Sequence, residues 1–446
     1  MAGKPIKLEA DVAIIGGGPG GCTLARELSA RGKKVILVEK GGDDDRLMGN
    51  RLGAGALLRL EKGFNFPLPF KRTREGDSVI LARCLGGGTV IYIGSAFLPD
   101  IDYWRRYDVE FDEDLVDEAR HQTWVSLPPD EFIGPGTRRV WEAARETGIP
   151  FEKFYRHVDF SRCEPACDKC PNGCPTNAKW TAREFAGEAI ENGAVLLTNT
   201  EVREIIVEGN TAVGVRARAR NGQKYEINAR VVVCSAGGTQ SARILQQTGI
   251  KDAGSWFTAD PTFFTFGFIK DGAGNAGEHS MAVGWHDEEQ KVIFFSLLSP
   301  FPAWHLQFVQ DEHLKGLAKL HRYGRALGVF CKVSDDGVGR VFADGKLSKT
   351  FTEDDMRRFA YSREVNTRIL LKAGCDPSDI HHSGFILGHP GGTVKVGQLL
   401  GSDLQTSVKN LYCCDASVMP EAPGRPPVLT IVVLAKRLAR HLETIV

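Results

Sequence analysis

Residues Asp11-Val-Ala-Ile-Ile15 form a short apolar run, and Gly16-Gly17-Gly18-Pro19-Gly20-Gly21 follows without a gap. A helical stretch, Cys22–Arg31, comes next and is stopped by Gly32; a second apolar run, Lys34-Val-Ile-Leu-Val-Glu39, ends on an acid. Strand, Gly-x-Gly-x-x-Gly turn, helix, strand and terminal carboxylate together make the first unit of a doubly wound, nucleotide-binding α/β fold. Gly16 permits the tight turn, Gly18 lets the backbone approach a pyrophosphate, and Gly21 lets the helix pack on the sheet. The helix N-terminus presents amides and the positive end of its dipole to the phosphates. Glu39 can accept from both ribose hydroxyls, and its charge disfavours a 2′-phosphate. The motif alone does not separate NAD from FAD.

At 446 residues the chain is long for one hydrophobic core, so two domains are expected. Lys+Arg and Asp+Glu both number 56, which removes any general attraction to nucleic acid or an anionic membrane. No apolar run is long enough to span a bilayer. Met1 to Ala10 has no apolar leader core, so a cytoplasmic location is expected. Eleven cysteines in such a chain point to reduced thiols and metal ligation rather than disulfides.

Four of those cysteines, Cys163, Cys167, Cys170 and Cys174, crowd into twelve residues with the spacing Cys-x3-Cys-x2-Cys-x3-Cys and end in Cys-Pro. Four thiolates so close suit a compact iron–sulfur cube, a 4Fe–4S cluster, although the first gap is one residue longer than in the bacterial ferredoxin run. Zinc is the competing occupant, but its four-cysteine sites usually use two pairs set well apart. Two local disulfides come last. Cys22, Cys84, Cys234, Cys331, Cys375, Cys413 and Cys414 read as small buried side chains.

Three further segments carry a resemblance. Arg83-Cys-Leu-Gly86-Gly87-Gly88-Thr89-Val-Ile-Tyr92 precedes Asp102 and Trp104. Val231-Val-Val-Cys-Ser-Ala236-Gly237-Gly238 runs on to Leu245 and Gly249. His389-Pro-Gly-Gly-Thr393 is followed by Asn410-Leu-Tyr-Cys-Cys-Asp415-Ala416-Ser417-Val-Met-Pro420. In order and spacing these resemble the glucose–methanol–choline oxidoreductases. The resemblance implies a Rossmann-like FAD-binding domain with an inserted α+β substrate domain built on an antiparallel sheet. It places the flavin against Gly86, Gly87, Gly88 and Thr89, the adenine against the backbone of Val202, and the cofactor's polar chain near Ala236, Gly237, Asp415 and Ala416. It also sets the N-terminus of the last helix, at Val428 after Pro427, under the flavin, where its dipole favours the reduced form. Members that attach FAD covalently use a histidine where this chain has Ile91, so noncovalent FAD is expected.

By the same resemblance His389 is the acid–base residue, and a neutral imidazole suits proton abstraction at neutral pH. The family's second His or Asn falls on Pro426, which offers no side-chain hydrogen bond. Arg425 beside it can hold an alkoxide or a carboxylate in its place. His381 and His382 read as surface or loop residues.

The expected organisation is a first FAD-binding part over 1–105, a cap segment over 106–160, the cysteine motif and second FAD-binding part over 161–250, a substrate domain over 251–385, and a C-terminal FAD-binding part over 386–446. Within the substrate domain, 262–268, 292–297 and 304–308 read as antiparallel strands, and 353–373 as a helix. Residues 43–80, rich in Gly, Pro and charge, read as a lid or interface. The first functional reading is an FAD-dependent dehydrogenase that oxidises an alcohol and passes electrons through the cluster to an electron-transfer protein or quinone. Others are a flavin/iron–sulfur reductase of a C=C or C=O group, a redox-neutral lyase or isomerase, and an electron carrier without catalysis. The oligomeric state stays open.

Overall fold

The computed structural model describes residues 4–43, 70–171, 173–272, 274, 277–297 and 319–446. The 304–308 strand and most of the 43–80 segment lie outside the described residues.

Two sheets organise the chain. In the first, the N-terminal strand Ile6–Ile15 pairs in parallel with Val35–Val38 on one side and with Lys224–Cys234 on the other. It is longer than the sequence suggested: its outer half is solvated, whereas Val12–Ile15 is buried. Val195–Leu197 extends the parallel side beyond Val35–Val38. Lys224–Cys234 is the pivot of the sheet. Its first half pairs antiparallel with Thr211–Ala219, and its last three residues pair in parallel with Leu411–Cys413. Residues far apart in the chain, 15, 234 and 413, thereby end side by side at the carboxyl edge, where doubly wound sheets bind ligands.

The helix after the glycine turn, Pro19–Ser29, starts on proline, whose fixed φ suits a first helical position. It is flanked by Ala182–Glu191 and by the last helix, Val428–Glu443. Across these helices the ammonium of Lys436 lies 2.6 Å from Glu27 and 2.9 Å from Glu118.

The second sheet is mainly antiparallel and centres on Pro261–Ile269, between Ala326–Val333 on one side and Cys375–His382 with the short strand Ile386–Leu387 on the other. All nine residues of Pro261–Ile269 are buried, so the sheet is covered on both faces. Alternation along a strand sends successive side chains to opposite sides. Phe263 and Ile269 face the helices Pro135–Glu146 and Glu353–Lys372, while Phe264, Phe266 and Phe268 pack with Phe154, Phe295 and Phe330. These aromatics are sheet core. The helix Glu353–Lys372 begins in a capping box in which Thr352 Oγ1 accepts from the Asp355 amide and Asp355 Oδ2 accepts from the Thr352 amide. The segment read as a single cap, 106–160, is divided. Glu113–Gln122 packs with the first core, and Pro135–Glu146 packs with the second.

Candidate active site

The glycine turn has the geometry its residue types require. Gly16 has φ +102°, a conformation L side chains rarely adopt, and a Cβ on Gly21 would run into the Gly16 carbonyl oxygen. Over Gly18 a Cβ would meet nothing within 4 Å, and the same holds at Gly88 and Gly237. Three separate segments thus border open space with bare backbone, a cradle that fits a dinucleotide. Glu39 lies against the turn, its carboxylate accepting from Gly17 N at 2.7 Å and Gly41 N at 2.5 Å. Burial pushes this carboxyl up, and the two amides oppose that shift.

The loop Gly86–Thr89 is stacked on the turn, Gly86 N donating to Gly17 O at 2.7 Å. Thr89 Oγ1 donates to Gly86 O and accepts from Ala182 N, which ties the loop to the helix after the cysteine run. Asp415 works as a clasp. One carboxylate oxygen accepts from Gly237 N at 2.8 Å and from Ser241 Oγ at 2.5 Å, and the other accepts from Ser417 N at 2.7 Å. That carboxylate therefore shapes the backbone around Ala236 and Ala416. Val202 sits in the strand Thr200–Glu208 opposite Ala217, and Val428 opens the last helix.

His389 is brought to this edge by strand pairing. Ile386–Leu387 pairs with Pro261 and Thr262, and His389 N then donates to Ala259 O at 2.9 Å. The Thr393 hydroxyl donates to Gly238 O at 2.5 Å, which seats the histidine segment on the Ala236–Gly238 turn. The ring is held from one side only. Its Nδ1 lies 2.8 Å from Lys332 Nζ and 3.2 Å from Asp260 Oδ2. Lys332 and Asp260 are themselves 3.2 Å apart, with side chains 2% and 0% exposed. His389 Nε2 has no hydrogen-bond partner among the described residues. The side chain as a whole is 29% exposed. Burial and the Lys332 charge hold the imidazole pKa below its ordinary value against the pull of Asp260, so the ring is neutral at neutral pH.

Arg425 is paired with a carboxylate. Its Nη2 donates to Asp100 Oδ2 at 3.0 Å, and Asp100 also caps the helix Ile101–Arg105. The guanidinium is near enough to Lys332 and His286 to push both pKa values down. The group in contact with His389 is Lys332, which the sequence reading missed together with Asp260. One signal was there: Ala326-Leu-Gly-Val-Phe-Cys-Lys332-Val is an apolar run with a single cation in it. His381 and His382 lie on Cys375–His382, bonded to Asp379 and Thr265 respectively.

Cys167, Cys170 and Cys174 are buried, and Cys163 is partly exposed. Burial, with the other three close by, pushes the Cys163 thiol up to about 12. Among the described residues, however, no three His, Cys, Asp or Glu side chains converge to hold a metal ion, so the expected ligand set is not formed as a metal site. Two buried cations adjoin it. Arg156 Nη2 is 4.0 Å from Cys170 Sγ, and Lys179 Nζ donates to Cys170 O at 2.6 Å. Lys179 also donates to Val90 O and Tyr92 O, both at 2.8 Å, and so bridges the cysteine run to the glycine loop. Neither cation has a carboxylate partner among the described residues. The remaining seven cysteines are buried.

A glycine-cradled, mainly parallel sheet, with a second sheet delivering a one-sided histidine to its carboxyl edge, defines a nucleotide-dependent oxidoreductase. The family models for GMC oxidoreductase match residues 10–261 and 366–435, and the chain belongs to that family. It is an FAD-dependent enzyme. It is similar to an uncharacterized protein of Methanocaldococcus jannaschii, 28% identical with 97% of this chain and 99% of that one covered. An uncharacterized GMC-type oxidoreductase of Mycobacterium tuberculosis is 25% identical over 98% of this chain and 76% of its own length. Long-chain-alcohol oxidase FAO4B of Arabidopsis thaliana is 24% identical over 95% and 66%. The fold is shared with pyridoxine 4-oxidase (TM-score 0.68, 16% identity, 97% of this chain and 99% of that one). It is shared also with the formate oxidase of Aspergillus oryzae (TM-score 0.70, 13% identity, 99% of both). No helix among the described residues is long and apolar enough to cross a membrane.

Proposed function

We propose that the protein oxidises an alcohol carbon of a small molecule, with His389 Nε2 receiving the hydroxyl proton. The observation that carries this reading is the one-sided histidine: Nδ1 is held by buried groups and Nε2 has no partner among the described residues, on a segment bonded to the Ala236–Gly238 turn. Noncovalently bound FAD supplies the hydride acceptor. Gly16, Gly18, Gly21 and Glu39 would hold its dinucleotide end, and Gly86 to Thr89 with Val428 its ring end. The long-chain-alcohol oxidases among the relatives support an alcohol substrate.

Cys163, Cys167, Cys170 and Cys174 would hold an iron–sulfur cluster, which would supply one-electron transfer toward a protein or quinone acceptor. The support is electrostatic. Arg156 and Lys179 are 0% and 2% exposed, and buried charge requires a counter-charge. Four ligating thiolates with their metal centre carry net negative charge and would supply it. A four-iron cube is a larger body than one ion, so its ligands need not converge as a mononuclear site demands. Lys179 would set the cluster beside the glycine loop. A carbonyl reductase running the reverse way is the second reading, favoured by the Lys332 ammonium against Nδ1, which leaves the ring proton on Nε2.

The test is anaerobic mixing of FAD-loaded protein with a panel of primary and secondary alcohols, following flavin absorbance. Bleaching by an alcohol, slowed in His389→Ala, supports the reading. No bleaching by any alcohol, with a carbonyl instead reoxidising the reduced protein, selects the reductase. Iron with acid-labile sulfide supports the cluster, and stoichiometric zinc without sulfide overturns it.

A further inference from the structure

We propose that Lys332 is the positioning residue for His389 and decides which ring nitrogen carries the proton, in place of the second polar side chain that Pro426 removes. This rests on His389 being the acid–base residue.

Lys332 lies within Ala326–Val333, every residue of which is buried. In the sheet register it stands opposite Thr262, and Thr262 pairs on its other side with Ile386. Asp260 immediately precedes this central strand, and His389 follows Ile386–Leu387, so three elements deliver three polar groups to one point. Asp260 is committed there: Oδ1 accepts from Gly424 N at 3.0 Å, and Oδ2 faces both Lys332 and His389.

Nδ1 therefore faces one donor and one acceptor, and the two demand opposite tautomers. A charged Lys332 donates to Nδ1, so the proton of the neutral ring sits on Nε2. In that form the open edge is a hydrogen-bond donor, able to hold an alkoxide or protonate a carbonyl oxygen. A neutral Lys332 leaves Nδ1–H to donate to Asp260 Oδ2, and the open edge then carries the lone pair of a base. The hydroxyl proton goes to Nε2 in the oxidising direction and returns from Nε2 in the other. The charged or titratable groups that bear on Lys332 are Asp260 before the central strand, His389 after Ile386–Leu387 and Arg425 ahead of the last helix. His286 on Val283–Asp287 feels its charge in return. Burial and Arg425 outweigh Asp260 and bring the Lys332 pKa down to about 8, within reach of working pH.

The test is nitrogen NMR on FAD-loaded protein with isotope-labelled histidine rings, titrated from neutral to alkaline pH. The His389 signals are assigned by their loss in His389→Gln. The expected result in the wild type is a neutral ring that changes from Nε2–H to Nδ1–H as pH rises through about 8. Lys332→Met should show Nδ1–H throughout, and Lys332→Met combined with Asp260→Asn removes the unpaired buried carboxylate should the single variant fold poorly. One unchanging tautomer in the wild type across that range overturns the proposal, whatever the variants do. The functional reading fails separately, if His389→Gln leaves flavin reduction by alcohol at the wild-type rate.

Discussion

At the residue scale the site depends on one imidazole held from one side. Replacing His389 by alanine should slow flavin reduction about 100-fold or more, the range for loss of a general base. FAD content should stay near normal, because the cradle residues lie on other segments. Rapid mixing, with FAD released by acid precipitation, measures both. Arg425→Ala should have a smaller effect than Lys332→Met, since the Arg425 guanidinium bonds to Asp100 and Lys332 bonds to the ring itself. An Arg425 effect equal to that of His389 would return Arg425 to the place the sequence reading gave it.

At the scale of elements, each turn is clasped by a neighbour. A Gly21→Ala protein should lose FAD binding, because the added methyl would displace the Gly16 carbonyl and with it the strand-to-helix turn. Fluorescence titration with FAD measures this. The cysteine run is a separate element. If the proposed cluster is bound, Cys170→Ser should remove its iron and sulfide yet retain most of the FAD, for the nucleotide turn lies far away in the chain. Loss of FAD along with the metal would mean that Lys179, which bonds to both Cys170 O and the glycine loop, makes the two sites one folding unit.

At the scale of the whole molecule, buried charge joins elements that are distant in sequence. Burial alone would push the Glu27 carboxyl up, but Lys436, Arg31 and Arg26 outweigh it and hold it below its ordinary value. A depressed carboxylate contributes stability above its unfolded pKa, and this stability is lost as pH falls through the lower folded value. Glu27→Gln should therefore cost about 3 kcal/mol near neutral pH, the low end for breaking a buried pair, because Glu118 still faces Lys436. His157 adds a second acid sensitivity. Burial lowers its pKa to about 4, so the unfolded chain takes up a proton first, and stability falls from the ordinary imidazole range of about 6.5 down toward that value. Denaturant midpoints measured across this range should fall less in His157→Phe. Electron flow belongs to this scale too. With the cluster as exit, one-electron dyes should support turnover better than air, and fast stoichiometric peroxide would identify an oxidase.

What was legible in the sequence was local or strongly periodic. The Gly16–Gly21 turn declares itself because only glycine fits where backbone meets backbone. The buried strands 262–268 and 292–297 declare themselves by aromatic and β-branched runs, and the helix 353–373 by its length and the Gly374 that ends it. His389 and Asp415 came from ordered motifs, and the structure sets both at the carboxyl edge of the first sheet. The sequence could not show that Lys332 and Asp260 would meet the histidine. That contact is made by register across three strands, Ala326–Val333, Pro261–Ile269 and Ile386–Leu387, and register is set by long-range pairing that no local pattern encodes. For the same reason the pairing of Arg425 with Asp100 could not be read from the sequence. Sequence by itself determined a nucleotide cradle and set a histidine and four cysteines in ordered motifs. Tertiary structure alone decided which charges face each other out of water, and buried charge is what sets the protonation of the groups that react.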